Sequence, residues 1–217
     1  MGPIIIINPN STTAVTAKMD AAVERLRIPH GPALECVTLE NGPAGIETDE
    51  HVASVVTPIC DLIRARQDEA SAFVIGCFSD PGLREARGIS KKPVFGIAES
   101  AMLTAMSKGS RFGVVSILKQ SIPRHASQIR ELGFDSRCAG DRAIGLGVTE
   151  LLDPVLAFDK MRLVAELLRD EDGADVLILG CSGMASNRDQ LEQAVDLPVI
   201  EPTQAAAIFA LGTILLA

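Results

Sequence analysis

Apolar positions along this chain follow two different periods. Short, nearly continuous apolar runs rich in β-branched residues occupy residues 4–7, 34–39, 73–75, 94–95, 112–117, 176–179 and 199–200. Unbroken hydrophobicity of that length predicts strands covered on both faces, as in a parallel sheet. Between the runs apolar residues recur at threes and fours. The clearest case is residues 49–66, where Val52, Val55, Val56, Ile59, Leu62 and Ile63 mark one helical face. The same spacing predicts helices over 13–26, 99–107, 122–132, 159–168, 190–195 and 203–216. Strands alternating with helices predict a three-layer α/β fold with parallel sheets, whose ligand site lies beyond the carboxyl ends of the strands.

The pattern also repeats. Ala72-Phe73-Val74-Ile75-Gly76-Cys77 parallels Val176-Leu177-Ile178-Leu179-Gly180-Cys181 at an offset of 104, and Pro93-Val94-Phe95 parallels Pro198-Val199-Ile200 at 105. The end of the first strand, Asn8, sits opposite Ser116 at 108. Three agreeing offsets predict two pseudosymmetric α/β halves, 1–98 and 99–217, with a cleft between them and the last helix placed to pack back on the first half.

Composition narrows what such a cleft binds. Of 217 residues 47% are hydrophobic, enough for a sizeable core. Twenty Lys and Arg against 28 Asp and Glu give a net charge of −8 with no basic cluster longer than a pair, which disfavours nucleic acid and anionic membranes and leaves a small molecule as the expected ligand. The longest apolar stretch, 205–217, falls short of the roughly 20 residues of a spanning helix. The start of the chain lacks the basic segment of a secretory leader and reads as a buried strand of a cytoplasmic protein. Five widely spaced cysteines (Cys36, Cys60, Cys77, Cys138, Cys181) and three scattered histidines (His30, His51, His125) form neither a disulfide framework nor a metal-ligand set.

Two of those cysteines are special. Cys77 and Cys181 are related by the repeat, each just past a buried strand and at the entrance to the next helix, so each faces the cleft from its own side. A thiol at a helix N-terminus is expected to have its pKa lowered towards neutrality. Ser79 or Asp80 is placed to cap the helix after Cys77, with Pro81 in its first turn, and Gly183 leaves backbone N–H groups open after Cys181. Two acid/base groups on opposite sides of one substrate suit inversion at carbon, one removing a proton and the other delivering one to the opposite face. The carbanion between these steps needs hydrogen-bond donors. Asn10, Ser11 and Thr12 after the first strand, and Ser79 and Ser182 beside the thiols, are candidates. Cys36, Cys60 and Cys138 read as packing residues.

These residues resemble the aspartate/glutamate racemase superfamily, and most closely its hydantoin and allantoin racemase branch. The resemblance is carried by Ile7-Asn8-Pro9-Asn10-Ser11-Thr12, Gly76-Cys77-Phe78-Ser79-Asp80-Pro81-Gly82-Leu83, Gly96-Ile97-Ala98-Glu99 and Gly180-Cys181-Ser182-Gly183-Met184, and it spans essentially the whole chain. It implies a homo-oligomeric isomerase that moves a proton between two faces of one carbon with Cys77 and Cys181, without metal or organic cofactor. Asn10, Ser11, Phe78, Ser79, Ser116, Ser182 and Gly183 are the expected substrate-binding residues. Glutamate racemases carry Cys-Asn-Thr and Cys-Thr-His where this chain has Cys77-Phe78-Ser79 and Cys181-Ser182-Gly183. Arylmalonate decarboxylases keep only the second cysteine. In place of the family's usual threonine pair stands Ser116-Ile117, of which only Ser116 keeps a hydroxyl. An aspartate-type racemase, a maleate cis-trans isomerase and a non-catalytic binding protein are the rival readings.

Plainer roles compete for several of these residues. Asn10 and Thr12 suit a turn and helix cap, Ser79 a cap, and Ser116 a strand end. His125, beside Arg124 and Arg130, reads first as a surface histidine, with the cleft wall as the alternative. Glu99 and Glu201 either orient a ligand or cap the helices that follow.

Overall fold

The computed structural model describes residues 1–216, and the side chains of all of them except 152 and 154. The first half of the chain runs β1 (Ile4–Asn8), α1 (Thr13–Val23), β2 (Leu34–Thr38), α2 (Asp49–Arg66), β3 (Ala72–Ile75), α3 (Leu83–Ile89), β4 (Val94–Gly96) and α4 (Ile97–Met106). The second runs β5 (Phe112–Ser116), α5 (Ile122–Glu131), β6 (Cys138–Ala143), α6 (Pro154–Asp170), β7 (Val176–Leu179), α7 (Arg188–Val195), β8 (Val199–Ile200) and α8 (Pro202–Leu215). Two four-stranded sheets result, ordered β2-β1-β3-β4 and β6-β5-β7-β8, with every pairing parallel. The identical order expresses the sequence repeat in three dimensions.

Strand order reverses between β1 and β3 and again between β5 and β7, and an open parallel sheet presents its crevice at such a reversal. Ile7 lies opposite Ile75, and Val115 opposite Leu179. Cys77 and Cys181 therefore emerge two residues beyond the strand at each reversal.

The core explains why β1 carries four consecutive isoleucines. All four are fully buried, Ile4 and Ile6 facing one cluster and Ile5 and Ile7 another. Each such side chain contributes about 1.5–3 kcal/mol of burial. The cluster that holds Ile4 and Ile6 also contains Val115, Leu177 and Leu179, so the two sheets share one core. Helices cross between them as well. α4 follows β4 yet packs on β5, β7 and β8. α8 follows β8 yet packs on β1, β3 and β4, and the two helices lie against each other.

Element ends follow local chemistry. Thr48 caps α2 by accepting from the His51 N–H at 3.1 Å, with Asp49 and Glu50 in the first turn and Arg64 and Arg66 in the last. Glu201, fully buried, accepts from the backbone N–H groups of Thr203 (3.0 Å) and Gln204 (2.6 Å) and so caps α8. Glu99 pairs with Arg87 at 2.6 Å. Two elements differ from the sequence pattern. β6 is an edge strand of Cys-Ala-Gly-Asp-Arg-Ala whose residues are all half-buried, so it carries no apolar run. α3 is a seven-residue helix too short to show a period.

Candidate active site

Both thiols stand on the same local frame. The Gly76 N–H donates to the Ile7 carbonyl at 2.8 Å, and the Gly180 N–H to the Val115 carbonyl at 2.9 Å. A Cβ at either glycine would come within 2.8 Å of that same carbonyl oxygen, so only glycine lets the chain leave the sheet here. Beyond the thiols the halves diverge. Asp80 and Gly82 adopt positive φ (42° and 69°), and it is Gly82, rather than Ser79 or Asp80, that stands at the N-terminus of α3. The Asp80 carboxylate turns instead to α4, accepting from the Ala98 N–H (3.0 Å) and the Glu99 N–H (2.9 Å), and also from Gln128 Nε2 of α5 (2.9 Å). After Cys181 the chain makes a 3-10 run, Ser182–Asn187, before α7.

The two thiols line one cavity of about 30 Å³. Of the residues singled out in the sequence, Asn10, Phe78, Ser79 and Ser182 also line it, as does Ile117. Ser11, Ser116 and Gly183 do not. The Ser11 N–H donates to the Pro43 carbonyl at 2.9 Å. Gly183 stands behind Cys181, its N–H donating to Sγ at 3.4 Å. Asn10 holds the turn after β1, its Oδ1 accepting from the Thr12 N–H at 2.9 Å and from Asn8 Nδ2 at 3.1 Å, while Nδ2 has no partner among the described residues. Ser182 Oγ reaches the Gly76 carbonyl at 3.4 Å, tying the second turn to the first.

His125, for which the cleft wall is the alternative reading, completes the wall with Arg124, Ile46 and Val148. His125 is buried, not on the surface. Its ring meets Phe78 edge-on with centroids 5.1 Å apart, and Nδ1 lies 2.9 Å from Asp141 Oδ2 and 3.2 Å from Ser116 Oγ. Ser116 also donates to Asp141. This is not a hydrolase triad, because serine and carboxylate share one ring nitrogen rather than taking one each. Nε2 is left as the ring atom without a partner among the described residues. Arg124, one position earlier, places its guanidinium on Ser79 Oγ at 2.9 Å and pairs with Asp49. Ile46 and Val148 close the cavity from the loops 39–48 and 144–149.

Burial reverses the expected thiol chemistry. It pushes the Cys77 thiol up to about 11, against the opposing effects of the Ser79 N–H and Arg124. It pushes Cys181 to about 12, with the Gly183 N–H and Lys18 opposing. A thiolate in so enclosed a place loses more hydration than these neighbours return. Cys36 and Cys138, outside the cavity, are raised by burial as well, to about 12 and about 11. Buried Asp80, for the same reason, stands near 7 despite its three donors.

Two parallel sheets and a pair of repeat-related thiols across one cavity define a class of α/β isomerases, and the comparison with known proteins agrees. The Asp/Glu/Hydantoin racemase family model matches residues 4–210, and the chain belongs to that family. A hydantoin racemase of Rhizobium meliloti is 38% identical, covering 94% of this chain and 85% of its own. One from Pseudomonas sp. (strain NS671) is 34% identical over 95% and 84%. Allantoin racemase from Klebsiella pneumoniae superposes with a TM-score of 0.94 at 32% identity, covering 100% of this chain and 89% of that one.

Proposed function

We propose that the protein is a cofactor-independent racemase of 5-substituted hydantoins or allantoin, working by proton transfer between two cysteines. One of Cys77 and Cys181, as thiolate, takes the proton from C5 of the ring; the C–H bond breaks, an S–H bond forms, and the electron pair delocalises onto the adjacent carbonyl oxygen. The other, as thiol, returns a proton to the opposite face. For the opposite enantiomer the roles exchange, and after each turnover the two sulfurs have traded protonation states. The observation that supports this most is that two thiols, related by the repeat, line one cavity. Ser79 and the Asn10 amide supply donors for the enolate oxygen, and His125 Nε2 is left for the ring. The halves that carry the two thiols are taken as residues 1–98 and 99–217 from the repeat, in a protein read as cytoplasmic, and the family resemblance implies a homo-oligomer.

The test is incubation of single enantiomers of allantoin and of 5-alkyl and 5-benzyl hydantoins in D2O, following ellipticity and the C5 proton by NMR, beside Cys77→Ala and Cys181→Ala. Optical decay with deuterium uptake, with inversion abolished in both variants, is the expected result. Inversion that survives in either variant overturns the two-thiol mechanism. No turnover of any hydantoin above its blank overturns the substrate assignment.

A further inference from the structure

Each thiol has a cation behind it, and in both cases that cation comes from the other half of the chain. Lys18, on α1, directs its ammonium across the cleft to the carbonyls of Leu151 (2.7 Å) and Gly183 (3.2 Å). Arg124, on α5, directs its guanidinium to Ser79 Oγ (2.9 Å). Gly183 lies two residues beyond Cys181, and Ser79 two residues beyond Cys77. The backbone N–H of that same residue is the one that serves the thiol: Gly183 to Cys181 Sγ at 3.4 Å, and Ser79 to Cys77. Lys18 and Arg124 are 106 residues apart, within the 104–108 range of the repeat itself, and they occupy the equivalent helices after β1 and β5.

We propose that Lys18 and Arg124 are repeat-related positioning residues, each anchored in one half and each fixing the turn and favouring the thiolate of the cysteine in the other. The inference rests on the two-thiol reading above and deepens it. Lys18 is the more telling of the two. Its ammonium is half-buried, burial lowers its pKa, and among the described residues it makes no ion pair; its hydrogen-bond partners are neutral carbonyls. An ammonium so placed lacks a counter-charge until a thiolate forms at Cys181, with which it interacts electrostatically. Arg124 is less dedicated, because it also pairs with the exposed Asp49. The other charged or titratable neighbours are few: Asp80 for Cys77, and Cys77 and Glu201 for Cys181. Asp80 and Glu201 are carboxylates, so beside the backbone N–H groups of Ser79 and Gly183 the two cations are the charged groups that oppose the rise in thiol pKa.

The crossing has a mechanistic meaning. A cation on each thiol's own half would hold its sulfur whether or not the cleft were closed. A cation from the opposite half makes ionisation of each thiol depend on the packing of the two halves against each other around the site.

The test reads each thiol separately. Iodoacetamide labelling at pH 8, resolved by mass spectrometry of the Cys77 and Cys181 peptides, is run on wild type, Lys18→Met and Arg124→Met. Removal of an opposite charge near an ionising group shifts it by about one pH unit or more. Lys18→Met is therefore expected to slow labelling of Cys181 about tenfold and leave Cys77 within about twofold, with Arg124→Met doing the converse. The labelling curve of the affected thiol moves to higher pH by the same amount. Lys18→Arg and Arg124→Lys restore most of the rate. Where a methionine variant loses its native circular dichroism, Lys18→Gln and Arg124→Gln take its place. Slowing of both thiols together, of neither, or equal slowing in the charge-conserving variants overturns the proposal. A wild type that racemises no hydantoin yet shows the thiol-specific pattern overturns the function and leaves this pairing standing; racemisation with no such pattern does the reverse.

Discussion

The enclosed thiols make a strong prediction about pH. With Cys77 at about 11, pH 8 lies three pH units below it, so about one Cys77 in a thousand is a thiolate in the free enzyme. Forming it costs about 4 kcal/mol at that pH, from about 1.36 kcal/mol per unit. Cys181, at about 12, is ionised tenfold less often, about one in ten thousand. Activity at low substrate follows the singly ionised pair, which grows tenfold per pH unit until the first thiol titrates near 11 and declines only after the second does. We expect log kcat/KM to rise with slope one from pH 7 to pH 9.5, a gain of about 100-fold between pH 7 and 9, with no plateau in that window. The assay is polarimetric racemisation of a single hydantoin enantiomer well below KM, with the base-catalysed blank subtracted at each pH. A plateau or a bell centred below pH 9 would refute the reasoning, since it would mean that the thiols are activated in the free enzyme as a helix-terminus argument from sequence expects.

Three further outcomes follow from burial and backbone geometry. All five thiols are raised by burial, so the folded chain keeps protons that the unfolded chain releases near pH 9; urea midpoints should hold between about pH 7.5 and 8.5 and fall as pH climbs towards 11, and Cys36→Ser should flatten that fall. Gly180→Ala puts a Cβ 2.8 Å from the Val115 carbonyl, a backbone atom at the end of a central strand, and should cost about 1–3 kcal/mol in chemical denaturation together with displacement of Cys181 and loss of activity. Asp80, raised by burial to about 7, should make stability fall between about pH 4 and pH 7 as its carboxyl ionises, and Asp80→Asn should level that fall in urea midpoints; an equal fall in the variant would mean that burial does not hold this carboxyl up.

Strands with both faces buried and the repeat between the halves were legible because each is written locally, in runs such as Ile4–Ile7 and in the twin Gly-Cys turns. β6 was not, because an edge strand facing solvent has no need of apolar residues and its Asp141 and Arg142 look like loop. The cap after Cys77 was misassigned for a related reason: Asp80 has the right chemistry for a cap, but the N–H groups it meets belong to α4, eighteen residues on. His125 looked like a surface residue because its neighbours Arg124 and Arg130 are basic, and only folding brings Asp141 and Phe78 to it. Thiol ionisation went the other way from the sequence argument because enclosure is a property of both halves together. One signal lay unused: Lys18 and Arg124 share the offset that revealed the duplication.

The crossing of α4 and α8 bears on how anything reaches the thiols. Each sheet is covered by the helix that follows the last strand of the other sheet, so swinging the sheets apart would strip both helices at once and expose the shared core. The cavity as it stands has room for about one or two water molecules, far less than a five-membered ring with its two carbonyl oxygens. Access is left to the two loops at its mouth, which carry Ile46 and Val148 and are latched by the Val148 N–H donating to Glu47 Oε1 at 2.8 Å. A ring of that size fits between the thiols only if these loops separate, which breaks the Val148–Glu47 hydrogen bond while the two sheets keep their shared core.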